Sequence, residues 1–366
     1  MYDPATLGPI GDDVVAMYER AEILLISIIR DALLRTGEEP AWEAEQLLAI
    51  RQERYRVEGV MATLHQQLPD MVMQSTDAAY MRGVVEAEKE LAKGQAVGMF
   101  QAAPGSTPVN HAAVVAIASD TVTRMGGVHP QILRRVEDAF RTIVKEAAGY
   151  SVTGALTTRQ AQQRAFSRMA RDGMGFFVDK AGRHWGLDTY ADMSVRTATT
   201  RALMAGHTDT MVANGVDLVV VSSHPNPAPV CAPYERKVLS LTGKFPKGRN
   251  AINDHIFNVV ETLPNAIDNG LFHPNCRHQL SAFVPGFTDL TPPKPDKGNE
   301  GYKATQKQRY LERQVRASKK MEAAALTEED KLKARQRTRT YQARIREHVK
   351  KHNLPRYRHR EQLKTP

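Results

Sequence analysis

The chain has 366 residues, 42% of them apolar and only 6% aromatic, with 50 Lys and Arg against 41 Asp and Glu and just two cysteines. That length suits two or three domains of roughly 100–200 residues each, and an apolar content carried by Ala, Leu, Val and Met argues against an all-β fold. Two cysteines are too few for a disulfide framework, and the longest apolar run, 23–29 with Ser27 inside it, falls far short of the roughly 18–20 residues of a membrane span.

The expected class is mainly α with a small α+β module. The start carries Asp3, Asp12 and Asp13 in place of a basic, secretory-type opening, so a soluble chain with reduced thiols is expected. Val14, Met17, Ala21, Leu24, Leu25, Ile28 and Leu33 recur at three- and four-residue steps, predicting an amphipathic helix capped by Asp12 or Asp13. A second helix is expected from Pro40 through Trp42, Leu47, Leu48, Tyr55 and Met61, and a third over 78–93; Pro suits a first helical turn. The turn-rich stretch 103–108 then marks a boundary.

Two more helices are predicted over 112–125 and 131–148, the latter with Ile132, Val136, Phe140, Ile143 and Val144 on one face. Thr157 with Gln160 forms a capping-box start for a helix reaching Arg171, and Gly173 is its stop. Arg159, Arg164 and Arg168 read as exposed charges on that helix. Phe176 to Val178 and His184 to Leu187 flank the turn residues 179–183 as a hairpin. A helix is expected over 190–212, ended by Asn214-Gly215, and Asp217 to Ser222 is a β-branched run of strand length. The organisation that follows is a helical N-terminal region 1–103, a helical middle region 109–173, an α+β module 174–287, a linker 288–300 and a basic helical tail 301–366.

Charge separates the tail from the rest. Residues 301–366 carry 20 Lys or Arg against 7 Asp or Glu, a net +13, which leaves −4 for the first 300 residues. Helices are expected over 306–321 and 327–351, the second capped by Thr327 and led by Glu328, Glu329 and Asp330. Leu332, Tyr341, Ile345 and Val349 give it only a thin apolar stripe, so it needs a partner surface, and 356–360 reads as extended or disordered. Arg335, Arg337, Arg339, Arg344, Arg346, Lys350, Lys351, Arg356, Arg358 and Arg360, with Tyr302, Tyr310, Tyr341 and Tyr357 along the tail, offer phosphate contacts to duplex DNA without reading sequence. Docking on an acidic protein surface is the equal alternative.

Several phrases carry a family resemblance: Gly182-Arg183-His184-Trp185, Tyr190-Ala191-Asp192-Met193, Gly215-Val216-Asp217, Val221-Ser222-Ser223-His224, the segment from Cys231 to Gly243, and Gly270-Leu271-Phe272-His273-Pro274-Asn275-Cys276-Arg277-His278. In this order the chain resembles the phage minor capsid protein 2 family and, more distantly, the Mu-type head morphogenesis proteins. The resemblance implies a structural protein of the tailed-phage virion, present in few copies near the portal vertex and serving head assembly, genome packaging or delivery, with portal protein and major capsid protein as expected partners and assembly in the host cytoplasm. It implies no catalytic activity. The chain departs from the family pattern at Cys231-Ala232-Pro233-Tyr234-Glu235-Arg236, where a His followed by Trp-Gln-Gly is usual, and from the Mu-type pattern of two cysteines there.

Both cysteines lie in the module. His224, Cys231, Cys276 and His278, with His273 as the alternative ligand, supply N and S donors of the kind that hold structural zinc. The spacing is irregular for such a site, so two other readings stay open: thiols and imidazoles that merely fill polar loop positions, and a Cys231–Cys276 disulfide. His255, Asn275 and His278 also raise a metal-dependent, HNH-like nuclease as the alternative function, although the ββα context it needs is not visible in the sequence.

Overall fold

The protein is described by a computed structural model over residues 10–35, 42–96, 108–152, 155–173, 177–179, 182, 184–274, 276–291 and 297–363. Pro40, the turn residues 103–107, Phe176, Lys180, Ala181, Arg183, Asn275 and the linker residues 292–296 lie outside these. In chain order come α1 (Asp12–Arg35), α2 (Trp42–Ala96), α3 (His111–Gly126), α4 (His129–Val152) and α5 (Thr158–Asp172). A short hairpin of β1 (Phe177–Val178) and β2 (His184–Trp185) leads to α6 (Leu187–Ala213). The strands β3 (Leu218–Val221), β4 (Val238–Ser240), β5 (Gly248–Ile252) and β6 (His255–Thr262) follow, then α7 (Leu263–Asp268) and β7 (Leu280–Ala282). Two helices close the sequence of elements, α8 (Glu300–Ala323) and α9 (Glu328–Lys351). The architecture is mainly α with one small mixed sheet. No helix among the described residues is long and apolar enough to cross a membrane.

Most local signals act where the sequence places them. Thr157 accepts from the backbone N–H of Gln160 at 3.2 Å while its own N–H donates to the Gln160 side chain at 3.1 Å, and Gly173 stops α5 at φ 98. The two helices anticipated at 40–61 and 78–93 are a single helix, α2, which runs through Pro69. Proline there removes one hydrogen bond, to the carbonyl four residues earlier, yet Leu64, Leu68 and Val72 stay buried at four-residue steps across it, so packing outweighs the local break.

The chain forms two compact units. One comprises 1–13, 69–122 and 193–303; the other comprises 14–68, 123–192 and 304–366. In the first, α2 and α6 cross with their backbones touching: a Cβ on Gly83 would overlap the Leu203 carbonyl, and one on Gly206 would overlap the Tyr80 carbonyl. Ala79, Tyr80, Val84, Ala202 and Leu203 fill the sides of that crossing. The Tyr80 hydroxyl donates to Asp209 at 2.9 Å.

The sheet of this unit has the order β5-β6-β4-β3-β7, with β4 and β6 parallel and the other pairs antiparallel. All four residues of β3 are buried, as an interior strand with both faces covered requires. Alternation sends Val219 and Val221 into a core with Cys231, Leu239 and Leu271, while Leu218 packs with Val238, Phe257 and Phe283. Asp217 ties the start of β3 to the end of β4, accepting from Ser240 Oγ at 2.5 Å and from the backbone N–H of Thr242 at 2.7 Å. The outward N–H of Ala282 on the edge strand β7 donates to Glu90 of α2 at 2.8 Å, which covers an edge that would otherwise be open.

The second unit is built from helices and the β1–β2 hairpin. Met17, Ala21, Leu25, Ile28, Ile29 and Leu33 of α1 are buried, as are Ile132, Val136, Phe140 and Ile143 of α4. The arginines of α5 serve the unit itself: Arg159 donates to the Leu33 carbonyl at 3.0 Å, Arg164 lies 5.5 Å from the Tyr150 ring centre, and Arg168 pairs with Glu146. Within the core, Lys320 reaches Glu22 at 2.8 Å and Asp188 at 3.0 Å, and Arg316 reaches Asp188 at 3.3 Å. Burial opposes the charge on Asp188, but Lys320 and Arg316 outweigh it and hold that carboxyl well below its ordinary range.

The basic helices are part of this unit's packing. Leu311 and Val315 of α8 meet Ile345 of α9, with Tyr341 and Val349 beside them, while Leu332 is 55% exposed. The segment expected to be extended or disordered instead ends in a 3₁₀ turn at Arg358–Glu361. Arg356 makes two 2.7 Å bonds to the buried Glu361, and the Pro355 carbonyl accepts from Gln308 of α8. Burial of Glu361 is what fixes this segment, because a buried carboxylate requires its cation in place.

Candidate functional site

Two loops of the sheet unit converge on the cysteines. The first leaves β3 through Pro225, Pro227 and Pro229, whose fixed φ angles limit its freedom. It turns at Ala228, whose carbonyl accepts from the N–H groups of Cys231 and Ala232, and then enters a 3₁₀ turn at Ala232–Tyr234. The second leaves α7, reverses at Gly270 (φ 100) and Phe272 (φ 59), and closes a turn in which the Cys276 N–H donates to the His273 carbonyl at 2.8 Å. Ser222 and Gln279 fasten the loop bases together: the Ser222 N–H donates to the Gln279 carbonyl, and the Gln279 N–H donates to Ser222 Oγ, both at 2.9 Å.

At the meeting point, Cys231 Sγ and Cys276 Sγ lie 3.6 Å apart, and both cysteines are free. Donor atoms of Cys231, His273 and Cys276 all fall within 4.8 Å of one another. His278 adds Nδ1 at 3.3 Å from Cys276 Sγ, while its Nε2 faces Glu235 Oε1 at 2.9 Å. Glu235 and His278 are both buried, and the same carboxylate oxygen accepts from the His224 backbone N–H at 2.5 Å. A hydrogen bond from Cys276, helped by His273 and His278 against burial, lowers the Cys231 thiol to about 3, and the same contact together with burial pushes Cys276 up. Burial disfavours a charged His278, but Cys231 and Glu235 outweigh it and raise its pKa.

The structure thus brings together Cys231, Cys276, His273 and His278. The ring of His224 stands with its centre 6.3 Å from that of His278, and its main chain holds Glu235. Glu235 went unnoticed in the sequence, since an acid four residues after a cysteine is a weak signal; it lies in the segment that departs from the family pattern. Of the residues behind the nuclease reading, His255 is exposed at the start of β6, whose ring a Cβ on Gly286 would crowd, and His278 precedes β7, with β4 and β3 between the two strands.

The basic residues sort into two groups. Arg335 is engaged by Glu322 at 2.7 Å and Arg356 by Glu361, while the Arg337 and Arg360 guanidinium groups lie over Tyr341 and Tyr357. Arg344 is exposed but also lies 5.3 Å from the Tyr341 ring centre, and Arg339, Arg346, Lys350 and Lys351 of α9 and Arg358 beyond it are exposed. A cavity of about 450 Å³ in this unit is lined by Arg171, Trp185, Arg313, Arg316 and Lys320. Three of its cations already serve Asp172 and Asp188.

A helical protein with a small mixed-sheet module, knotted by two loops that carry Cys and His, is the class defined by this fold. The model of the family described as phage minor capsid protein 2 matches residues 2–350, and the chain belongs to that family. A relative described as a structural protein of Lactococcus phage LL-H is 28% identical over 222 residues, covering 59% of this chain. The matched part is 58% of that relative, so the chain spans less than two thirds of its length. No solved structure gives a significant match.

Proposed function

We propose that the protein is a non-enzymatic structural component of the tailed-phage virion, held at the head interior near the portal and acting in head assembly, DNA packaging or genome delivery. Membership of the phage minor capsid protein 2 family over residues 2–350 carries this reading. Portal protein and major capsid protein are the proposed neighbours, and packaged duplex DNA is the proposed partner of α9. The exposed row Arg339, Arg346 and Lys350, at seven- and four-residue steps on one side of α9, supports the last assignment, because phosphate recognition needs cations free to face outward.

Titrating the full chain with duplex DNA of arbitrary sequence at rising salt tests the DNA contact. Log affinity is expected to fall linearly with log salt, by about 0.9 per phosphate neutralised. The combined Arg339→Glu, Arg346→Glu and Lys350→Glu variant is expected to lose about tenfold or more in affinity at low salt. Unchanged binding in that variant would overturn the α9 assignment, and imaging the protein on the outer shell surface would overturn the interior placement.

A further inference from the structure

From the convergence of the two loops we infer that this protein carries a structural zinc ion ligated by Cys231, His273, Cys276 and His278, with Glu235 orienting His278 from behind. Four observations lead there. The sulfurs sit 3.6 Å apart as free thiols, far beyond the ~2.05 Å of a disulfide and close to the roughly 3.8 Å edge of a tetrahedron with ~2.3 Å zinc–sulfur bonds. His273 completes a group of three donors within 4.8 Å. His278 lies outside that group of three but turns Nδ1 toward Cys276 Sγ at 3.3 Å, so its nitrogen is the nearest candidate for a fourth donor. Its other nitrogen meets a buried carboxylate at 2.9 Å, the arrangement that fixes tautomer and ring orientation in metal-ligating histidines.

The donor chemistry selects the ion. Two thiolates and two imidazoles suit zinc over magnesium or calcium, which take oxygen donors. Four protein ligands also leave no position for a water, so the role is structural, and Cys231 is itself a fully buried member of the module's core. Bound zinc crosslinks the loop after β3 to the loop before β7, two segments separated by about forty residues of chain, and stabilises the folded module by its binding free energy. His224 lies outside the ligand set, its main chain serving Glu235.

Metal content of the full chain decides the matter, with the protein purified under reducing conditions without chelator or nickel resin. One zinc per chain is expected by elemental analysis. Cobalt exchanged into the site is expected to show tetrahedral d–d bands with thiolate charge transfer. His224→Ala is expected to keep the stoichiometry, His273→Ala and Cys276→Ser to lose it, and Glu235→Gln to retain zinc with about 10- to 100-fold weaker affinity. Absence of both zinc and a cobalt spectrum in the folded wild-type chain overturns the inference, whichever variants fold. So does a Cys231–Cys276 disulfide found by mass after alkylation in metal-free protein, or loss of metal in His224→Ala with retention in His273→Ala.

Discussion

The two units solve the problem of joining distant segments by different means. In the sheet unit the long helices are joined by close backbone approach, Gly83 against Leu203 and Gly206 against Tyr80, and the loop bases by the neutral Ser222–Gln279 pair. The helical unit joins its segments by charge, with Lys320 between Glu22 and Asp188, and Glu53 between Arg35 and Arg56. Close backbone approach depends on shape and is insensitive to pH and salt. A buried ion network is strong only while every member is present, because each lost partner leaves a desolvated charge behind.

That contrast can be broken experimentally. Lys320→Ala leaves Glu22 and Asp188 buried without their shared cation and is expected to destabilise the helical unit by about 3–5 kcal/mol. Hydrogen exchange should rise in α1 and α8 well before it rises in the sheet; equal loosening of both units would defeat the distinction. Acid should also act on the helical unit. His129 is buried and accepts from or donates to Tyr18 at 2.7 Å, and burial, reinforced by His65, lowers its pKa to about 4. A histidine whose folded pKa is depressed contributes stability above its unfolded value of about 6.5, and that contribution is lost as pH falls toward 4. Urea midpoints between pH 7.5 and 4 should therefore fall more steeply in the wild type than in His129→Gln, and parallel curves would reject the assignment.

Gly206→Ala tests the other side of the comparison. Its methyl group meets the Tyr80 carbonyl, and the overpacking is expected to cost about 1–3 kcal/mol, read as a lower thermal midpoint for the sheet unit with little dependence on salt. The smallest effect belongs to a local device. Thr157→Ala removes the cap of α5 and is expected to cost about 1 kcal/mol, confined in exchange measurements to the first turn of that helix.

What could be read from the sequence was local. Thr157 with Gln160 and Gly173 bounded α5, the β-branched run from Leu218 marked an interior strand, and Gly215 (φ 76) closed α6, because caps, turns and β-propensity depend on a few neighbouring residues. The same local logic failed at Pro69, where buried side chains on either side carried the helix through. It also misjudged 356–360, which a buried ion pair holds in place. At the cysteines the residue types were visible, and the resemblance drew attention to their segment. The choice among His224, His273 and His278, however, depends on two loops meeting in space.

By itself, then, the sequence determined the helical class with its small α+β component, the basic C-terminal helices and the family phrases. All of these are written in composition, short-range periodicity and contiguous motifs. Tertiary structure alone decided that Lys320 completes a charge network with Glu22, 298 residues away in sequence, that Gly83 and Gly206 let two helices touch, and that Glu235 backs His278. Those pairings depend on burial and distance between remote segments, which local periodicity does not encode.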